Sequence, residues 1–315
     1  MPSLLVIYNP VAGRGRVKKL WPDVQQGLID AGIEFDVAAT SEPLEAVTLA
    51  KKAATKYSTV IAVGGDGTIH EVVNGLLHAS NEGETIALGV VPLGNGDDFA
   101  KMIPPQTNIG DKVFDWHVAI EKITQGQTKL FDVGRMLGNQ LRSNQNNNPE
   151  YFMNGMDIGF GAQAALNFTK VPSFLTGIAA YLAAIMKTLI DYPIPKVSIQ
   201  IDDHPAFEQS TTMTAITNGR CFGSSFWVCP DAQVDDGLLD VMVTQSVGRL
   251  KILSLIPKIM KGTHVNEPIL KNYRARRIVI RSKQSLVVEA DGEIPYTQTQ
   301  HLEVQILDKK LRMIV

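Results

Sequence analysis

One local layout recurs three times in the first hundred residues: an apolar strand, a turn rich in glycine and short polar side chains, then a helical pattern. It stands at LLVIYNPVAGRGR (4–16), VIAVGGDGTIHEVVNGLL (60–77) and IALGVVPLGNGDDFAK (86–101). Strands that alternate with helices run parallel, because each helix is the crossover that returns the chain to the same end of the sheet. All three turns then meet at the carboxyl ends of the strands, where open α/β sheets bind ligands. Residues 1–130 accordingly read as a doubly wound α/β nucleotide-binding domain with helices on both faces of its sheet. Strands are expected near 3–8, 34–39, 59–63 and 86–91, and helices near 17–31, 42–56, 68–79 and 115–125. Ser41 with Pro43 marks a helix start, and Gly32 stops the helix before it.

From Thr128 the pattern changes to many short strands of alternating polarity: TKLFDVGRML, EYFMNGMDIG, KVSIQID, TTMTAITNGR, LLDVMVTQ, RRIVIRS, SLVVEADGE, HLEVQIL and LRMIV. This implies a β-sandwich domain over 131–315 with inserted helices near 162–191 and 247–261. A chain of 315 residues exceeds the usual size of one core, in keeping with two domains. The last strand, 311–315, is left open between them. RSNQNNNPE (142–150) reads as a solvated hairpin tip. FLTGIAAYLAAIMKTLI (174–190) contains Lys187 and falls short of the ~20 apolar residues needed to cross a bilayer. It reads as a helix packed on a sheet, with apolar surface that could help admit a lipid.

A net charge of −2 gives no general attraction to nucleic acid or to anionic lipid. Cys221 and Cys229 read as reduced, packed thiols, and the start MPSLLVIYNP has no basic leader, so a cytoplasmic protein is expected.

In the middle turn, Gly64, Gly65 and Gly67 let the backbone approach an anion without Cβ clashes. Thr68 and Glu71 have the spacing of a capping box that would start the helix and aim its positive end at the turn. Asp66 suits a carboxylate that engages a metal ion or a ribose hydroxyl. The first turn repeats the layout with Asn9, Pro10, Gly13 and Gly15, and the third with Gly94, Asn95, Gly96, Asp97 and Asp98. Arg14, Arg16, Lys18 and Lys19 read as a solvated helix start that could also touch anionic headgroups. Asp291 and Glu293 in ADGEIP lie two apart, so an extended backbone would project them to one side. Two close carboxylates raise each other's pKa, which favours proton abstraction near neutrality. A plain hairpin turn is the other reading of the same residues.

NPxxG at 9–13, GGDGT at 64–68, PLG with a following DF at 92–99, FDVG at 131–134, NGRCFG at 218–223, PDAQVDDGLLDV at 230–241 and ADGE at 290–293 together resemble the diacylglycerol kinase catalytic family, in particular its bacterial soluble lipid kinases. The resemblance runs through the whole chain. It implies ATP held by Asn9, Pro10, Val11, Ala12 and Gly13, by Gly64, Gly65, Asp66, Gly67, Thr68, Ile69, His70 and Glu71, and at the edges by Thr40 and Asn95. Within that run His70 reads as structural, and Thr40 equally as a helix cap. Asp66, Asp98 and Asp132 match an acidic network around the nucleotide magnesium, Mg2+. Asp236, with the carbonyls of Gln233 and Leu238, matches a structural metal loop. Glu293 or Asp291 would be the proton acceptor, with Asp98 the next candidate.

The family usually has Gly-Thr-x-Asn-Asp where this chain reads Gly94-Asn95-Gly96-Asp97-Asp98, which adds a negative charge near the phosphates. Either a metal ion compensates or nucleotide affinity is weakened. The expected activity is phosphoryl transfer from ATP to a hydroxyl of a membrane lipid such as diacylglycerol. A soluble-substrate kinase of the NAD kinase type and a lipid-binding pseudokinase are the alternatives. The expected partners are the lipid, reached by peripheral membrane contact, and, left open, a second copy of the chain in a homodimer.

Overall fold

Alternation of side chains along the first strands sets the layers. β1 (Leu4–Tyr8), β2 (Asp36–Ala39), β3 (Thr59–Gly64) and β4 (Ala87–Pro92) pair in parallel in the order β4-β3-β1-β2. Leu5 and Ile7 enter one core with Val60, Ala62 and Leu88, while Leu4 and Val6 enter another with Ile61, Val63 and Val91. A strand buried on both faces needs a cover on each. α2 (Glu45–Ala53) and α3 (Asp66–Ser80) cover the first, and α1 (Arg16–Asp30) and α4 (Trp116–Gln125) the second. The computed structural model describes residues 3–104, 115–139, 149–172, 177–192, 194–223 and 226–315.

The remainder is antiparallel: β5 (Thr128–Gly138), β6 (Glu150–Phe152), β7 (Gly155–Gly159), β8 (Lys196–Ile201), β9 (Phe207–Thr217), β10 (Leu239–Gln245), β11 (Leu270–Ala275), β12 (Arg277–Ala290) and β13 (Glu293–Ile314). Inward residues of these strands, among them Phe152, Ile199, Ile216, Val241, Ile280 and Val304, form its core. β13 is shared. It pairs with β12 and β5 for most of its length, and near its end Met313 lies beside Leu88 of β4 in parallel register.

Several elements differ from expectation. The single helix expected over 162–191 is two, α5 (Phe160–Phe168) and α6 (Gly177–Asp191). α7 (Arg249–Met260) stands where the other insertion was expected. EYFMNGMDIG divides into β6 and β7, whereas HLEVQIL and LRMIV join in β13 across a register shift between Leu307 and Leu311. Residues 142–148 of the expected hairpin tip and 174–176 of the apolar segment lie outside the described residues. Among the described residues no helix is long and apolar enough to cross a membrane.

Candidate active site

The three glycine turns touch, and their glycines are required where they touch. A Cβ on Gly13 would lie 2.6 Å from the Leu93 carbonyl oxygen, and one on Gly94 would lie 2.5 Å from Gly65 Cα. Gly13 also has φ of 61°, which disfavours any side chain. Hydrogen bonds fasten the turns to each other: Leu93 N donates to Gly64 O at 2.8 Å, and Asn9 Nδ2 to Thr68 Oγ1 at 3.2 Å. Asn9 Oδ1 also accepts Val11 N, closing the first turn on itself. Ala12 and Gly13 lie in the 3-10 turn that leads into α1. Pro10 and the exposed Val11 form its outer lip.

α3 begins at Asp66 with Gly65 as its N-cap, and no side chain caps it. The capping box expected from Thr68 and Glu71 does not form. Glu71 instead reaches outward and accepts Leu44 N and Ala46 N, each at 3.1 Å, so it caps α2. The first turn of α3 is thereby left without a side-chain cap. Ile69 and His70 are buried along it, Thr40 is buried at the end of β2 with its N–H donated to Tyr8 O, and Asn95 is exposed at the rim.

Facing this turn is a cleft of about 210 Å³ lined by Asp66, Gly67, Asp98, Asn154, Phe222, Gly223, Asp291, Gly292 and Glu293. Glu293 Oε1 would come within 3.6 Å of a Cβ placed on Gly67, so the carboxylate stands over the helix start. Asp291 and Glu293 are not on one extended strand. Asp291 (φ 49°) and Gly292 (φ 90°) form the two-residue turn between β12 and β13, an Asp-Gly hairpin whose positive φ values suit the twist of its strands. Hairpin turn and site therefore coincide, and the two carboxylates diverge. Asp291 is buried and accepts Met153 N (2.8 Å), Asn154 N (3.0 Å) and Gly155 N (3.2 Å), with His70 Nδ1 at 3.3 Å. A carboxylate so engaged is an anchor. Glu293 is exposed to the cleft.

Asp66 Oδ1 accepts Phe99 N at 3.1 Å, and burial together with neighbouring Asp98 pushes its pKa up to about 7. Asp98 is paired with Lys101 at 2.6 Å, both buried. Asp97 turns inward and accepts Gly94 N at 2.9 Å, so the residue that departs from the family pattern builds its own turn; burial pushes it up to about 6.

Asp132 does not join Asp66 and Asp98. Its two oxygens accept Gly237 N and Lys309 N, both at 2.7 Å, which ties the 233–238 loop to the bulge in β13. The expected acidic network is thus split. A second difference lies in that loop: Asp236 accepts Leu238 N at 3.1 Å and is paired with the Arg274 guanidinium. A cation held by Asp236 with the Gln233 and Leu238 carbonyls does not fit, because Arg274 already supplies the positive charge.

Some residues of the site went unread in the sequence. Phe222 and Gly223 are the last two residues of the NGRCFG motif and Lys101 lies three residues after Asp98, so the sequence offered a signal for these. Asn154 offered none.

A parallel sheet whose phosphate-type turns face a carboxylate hairpin on an antiparallel domain defines a two-domain phosphotransferase. Residues 3–136 match the diacylglycerol kinase catalytic domain, and residues 155–315 match the YegS C-terminal NAD kinase beta sandwich-like domain. The chain belongs to this family of lipid kinases. It is 28% identical to a diacylglycerol kinase of Bacillus subtilis over 93% of this chain and 90% of that one. A diacylglycerol kinase of Staphylococcus saprophyticus is 28% identical over 91% and 88% of the two chains. Among solved structures, a putative diacylglycerol kinase from Bacillus anthracis superposes with a TM-score of 0.74 at 25% identity, covering 99% of this chain and 96% of that one. Yeast NADH kinase complexed with NADH shares the fold, with a TM-score of 0.53 at 8% identity over 100% and 83% of the chains.

Proposed function

We propose that the chain transfers the γ-phosphoryl group of ATP to a hydroxyl of a diacylglycerol-like membrane lipid, with Glu293 as the proton acceptor. The observation that carries this reading is the placement of Glu293 over the uncapped start of α3. Phosphates seated on the amides of the glycine turns would lie in front of that carboxylate, and an acceptor hydroxyl entering the cleft would meet both. Asp291, saturated by hydrogen bonds, fixes the hairpin from which Glu293 projects.

Mg2+ fits beside Asp66. Negative charge from Asp66, Asp97 and Asp98 is gathered there against Lys101 and Arg16, and burial works against ionisation of Asp66 and Asp97. Among the described residues no three His, Cys, Asp or Glu side chains form a ready-made metal cage. That suits an ion which takes further ligands from nucleotide phosphate and water. When bound it neutralises charge on the transferring phosphoryl group. Asp66 would orient it, and Lys101 would hold Asp98 in place.

A lipid acceptor places the work at a membrane surface, with the cleft open to it from the cytoplasm. Turnover of γ-labelled ATP with Mg2+ on mixed micelles of diacylglycerol, beside ceramide and NAD, is the test. Label in phosphatidic acid is the expected result. Label only in NADP, or ATP binding without any transfer, would overturn the reading.

A further inference from the structure

His70 is buried on α3, one turn beyond Asp66 and Gly67, with both ring nitrogens on carboxylates. Nδ1 lies 3.3 Å from Asp291 Oδ2 and Nε2 lies 2.9 Å from Glu150 Oε1. Asn74 Nδ2 comes within 3.3 Å of Nε2 but directs its protons to the carbonyls of His70 (2.9 Å) and Tyr151 (3.0 Å). A neutral imidazole donates from one nitrogen only and would set a lone pair against one carboxylate; the imidazolium donates from both. The network therefore assigns the charged form. Burial works against that charge, yet the bonds from Asp291 and Glu150 outweigh it and hold the pKa up at about 10.

The bridge connects three elements. Glu150 opens β6, Asp291 is the first residue of the hairpin turn, and α3 presents Asp66 and Gly67 to the cleft. Three of the four contacts on Asp291 come from Met153, Asn154 and Gly155, on the same domain as the hairpin. The fourth, from His70, comes from the helix of the nucleotide turn.

We propose that His70 is a positioning residue for phosphoryl transfer, which sets the height of the Asp291-Gly292-Glu293 hairpin over the first turn of α3 and so the reach of Glu293 to the acceptor hydroxyl. The inference rests on Glu293 being the proton acceptor. Nucleotide contacts do not depend on the bridge, because the glycine turns are fastened by their own hydrogen bonds; a loose hairpin would slow chemistry and spare ATP binding.

Four measurements on the full chain test this. His70→Ala should lower kcat for diacylglycerol roughly 10- to 100-fold with KM for ATP changed less than about threefold, the signature of an interaction lost in the transition state. Glu150→Gln, at a half-buried position that folds without the charge, should lower kcat about three- to tenfold. Its amide still accepts from His70 but no longer as an anion. The acid limb of kcat/KM should move to higher pH in His70→Ala, because the positive charge facing Asp291, Glu150, Glu71 and Glu289 is gone. A rise in KM for ATP with kcat kept, or a fall in kcat that only follows the folded fraction with the acid limb unmoved, would overturn the proposal. Hydrogen exchange separates this from the proposed activity: the amides of Met153, Asn154 and Gly155 should exchange faster in His70→Ala whatever the substrate. Unchanged exchange refutes the bridge by itself, whereas a wild-type protein that phosphorylates no lipid refutes the activity.

Discussion

Two acid-rich regions of the chain solve the same electrostatic problem in opposite ways. Around the 233–238 loop the carboxylates are met by the protein: Asp132 of β5 accepts two backbone amides that work against the upward push of burial, Asp236 is paired with Arg274, and Asp235 with Lys129 at 2.6 Å. At the ends of β3 and β4, Asp66 and Asp97 are pushed up to about 7 and about 6, chiefly by burial. One region folds as a finished structural joint. The other holds charge that the protein alone leaves poorly solvated, which is the condition a site meets when a cation and a phosphate chain complete it. Acidic composition did not separate the two; what differs is how fully each carboxylate is met, since Asp132 accepts two backbone amides and Asp235 and Asp236 each have a basic partner, whereas Asp66 and Asp97 accept one amide each.

Substitutions on the two sides should fail differently. The largest effect belongs to Glu293→Gln, which removes basicity and keeps shape: lipid phosphorylation should fall by about 10² to 10⁴ while calorimetric binding of ATP with Mg2+ stays near wild type. Asp66→Asn comes next, with kcat expected to fall more than about tenfold at saturating nucleotide. Its effect on folding has the opposite sign. Asp66 has a folded-state pKa above its unfolded value, so the native state binds the extra proton between about pH 4 and 7 and loses stability as pH rises through that window. Without nucleotide or metal, Asp66→Asn should therefore melt higher than wild type at pH 8 and close to it at pH 4. A lower melting temperature at pH 8 would show that the carboxylate is satisfied after all.

On the finished side the pattern reverses. Asp132→Ala strands two backbone amides and should cost about 2 kcal/mol or more in denaturant unfolding, with turnover per folded molecule retained. Arg274→Ala should cost the least, under about 1 kcal/mol, since the guanidinium is half exposed and its pair is screened by solvent. Chelator should leave the wild-type melting curve unmoved through this loop. A chelator-dependent fall in wild-type melting without nucleotide would return the loop to the cation-binding reading.

The parallel half was legible because its signals are local. Glycine turns and helical periodicity placed β1 to β4 and α1 to α4 within about three residues of where they stand. Local spacing also misled there, since Thr68 and Glu71 have the separation of a capping box but Glu71 is claimed by the amides of α2, a partner no short window contains. In the antiparallel half the decisive contacts are long-range. Lys309 and its polar neighbours interrupt the apolar alternation of β13, so one strand with a bulge read as two. Asp291 and Glu293 were recognised as a pair by sequence distance, yet a left-handed Asp-Gly turn sends one into the protein and the other into the cleft. Glu150 closed a run that reads as solvent-facing, and nothing near it in sequence points to His70, 80 positions away.

β13 belongs to both domains, and that carries a consequence for how the molecule is made. Among the described residues, the outer edge of β4 receives its partner only from residues around Met313, far along the chain from Leu88. While the chain emerges from the ribosome, the first domain can wind its helices and align its glycine turns, but one margin of its sheet keeps unpaired N–H and C=O groups. Closure of that margin must wait until the chain has been made as far as Met313. A nascent or truncated chain ending before β13 would offer the bare edge of β4 to its neighbours, so the strand that joins the two halves of the enzyme also guards the first half against self-association during synthesis.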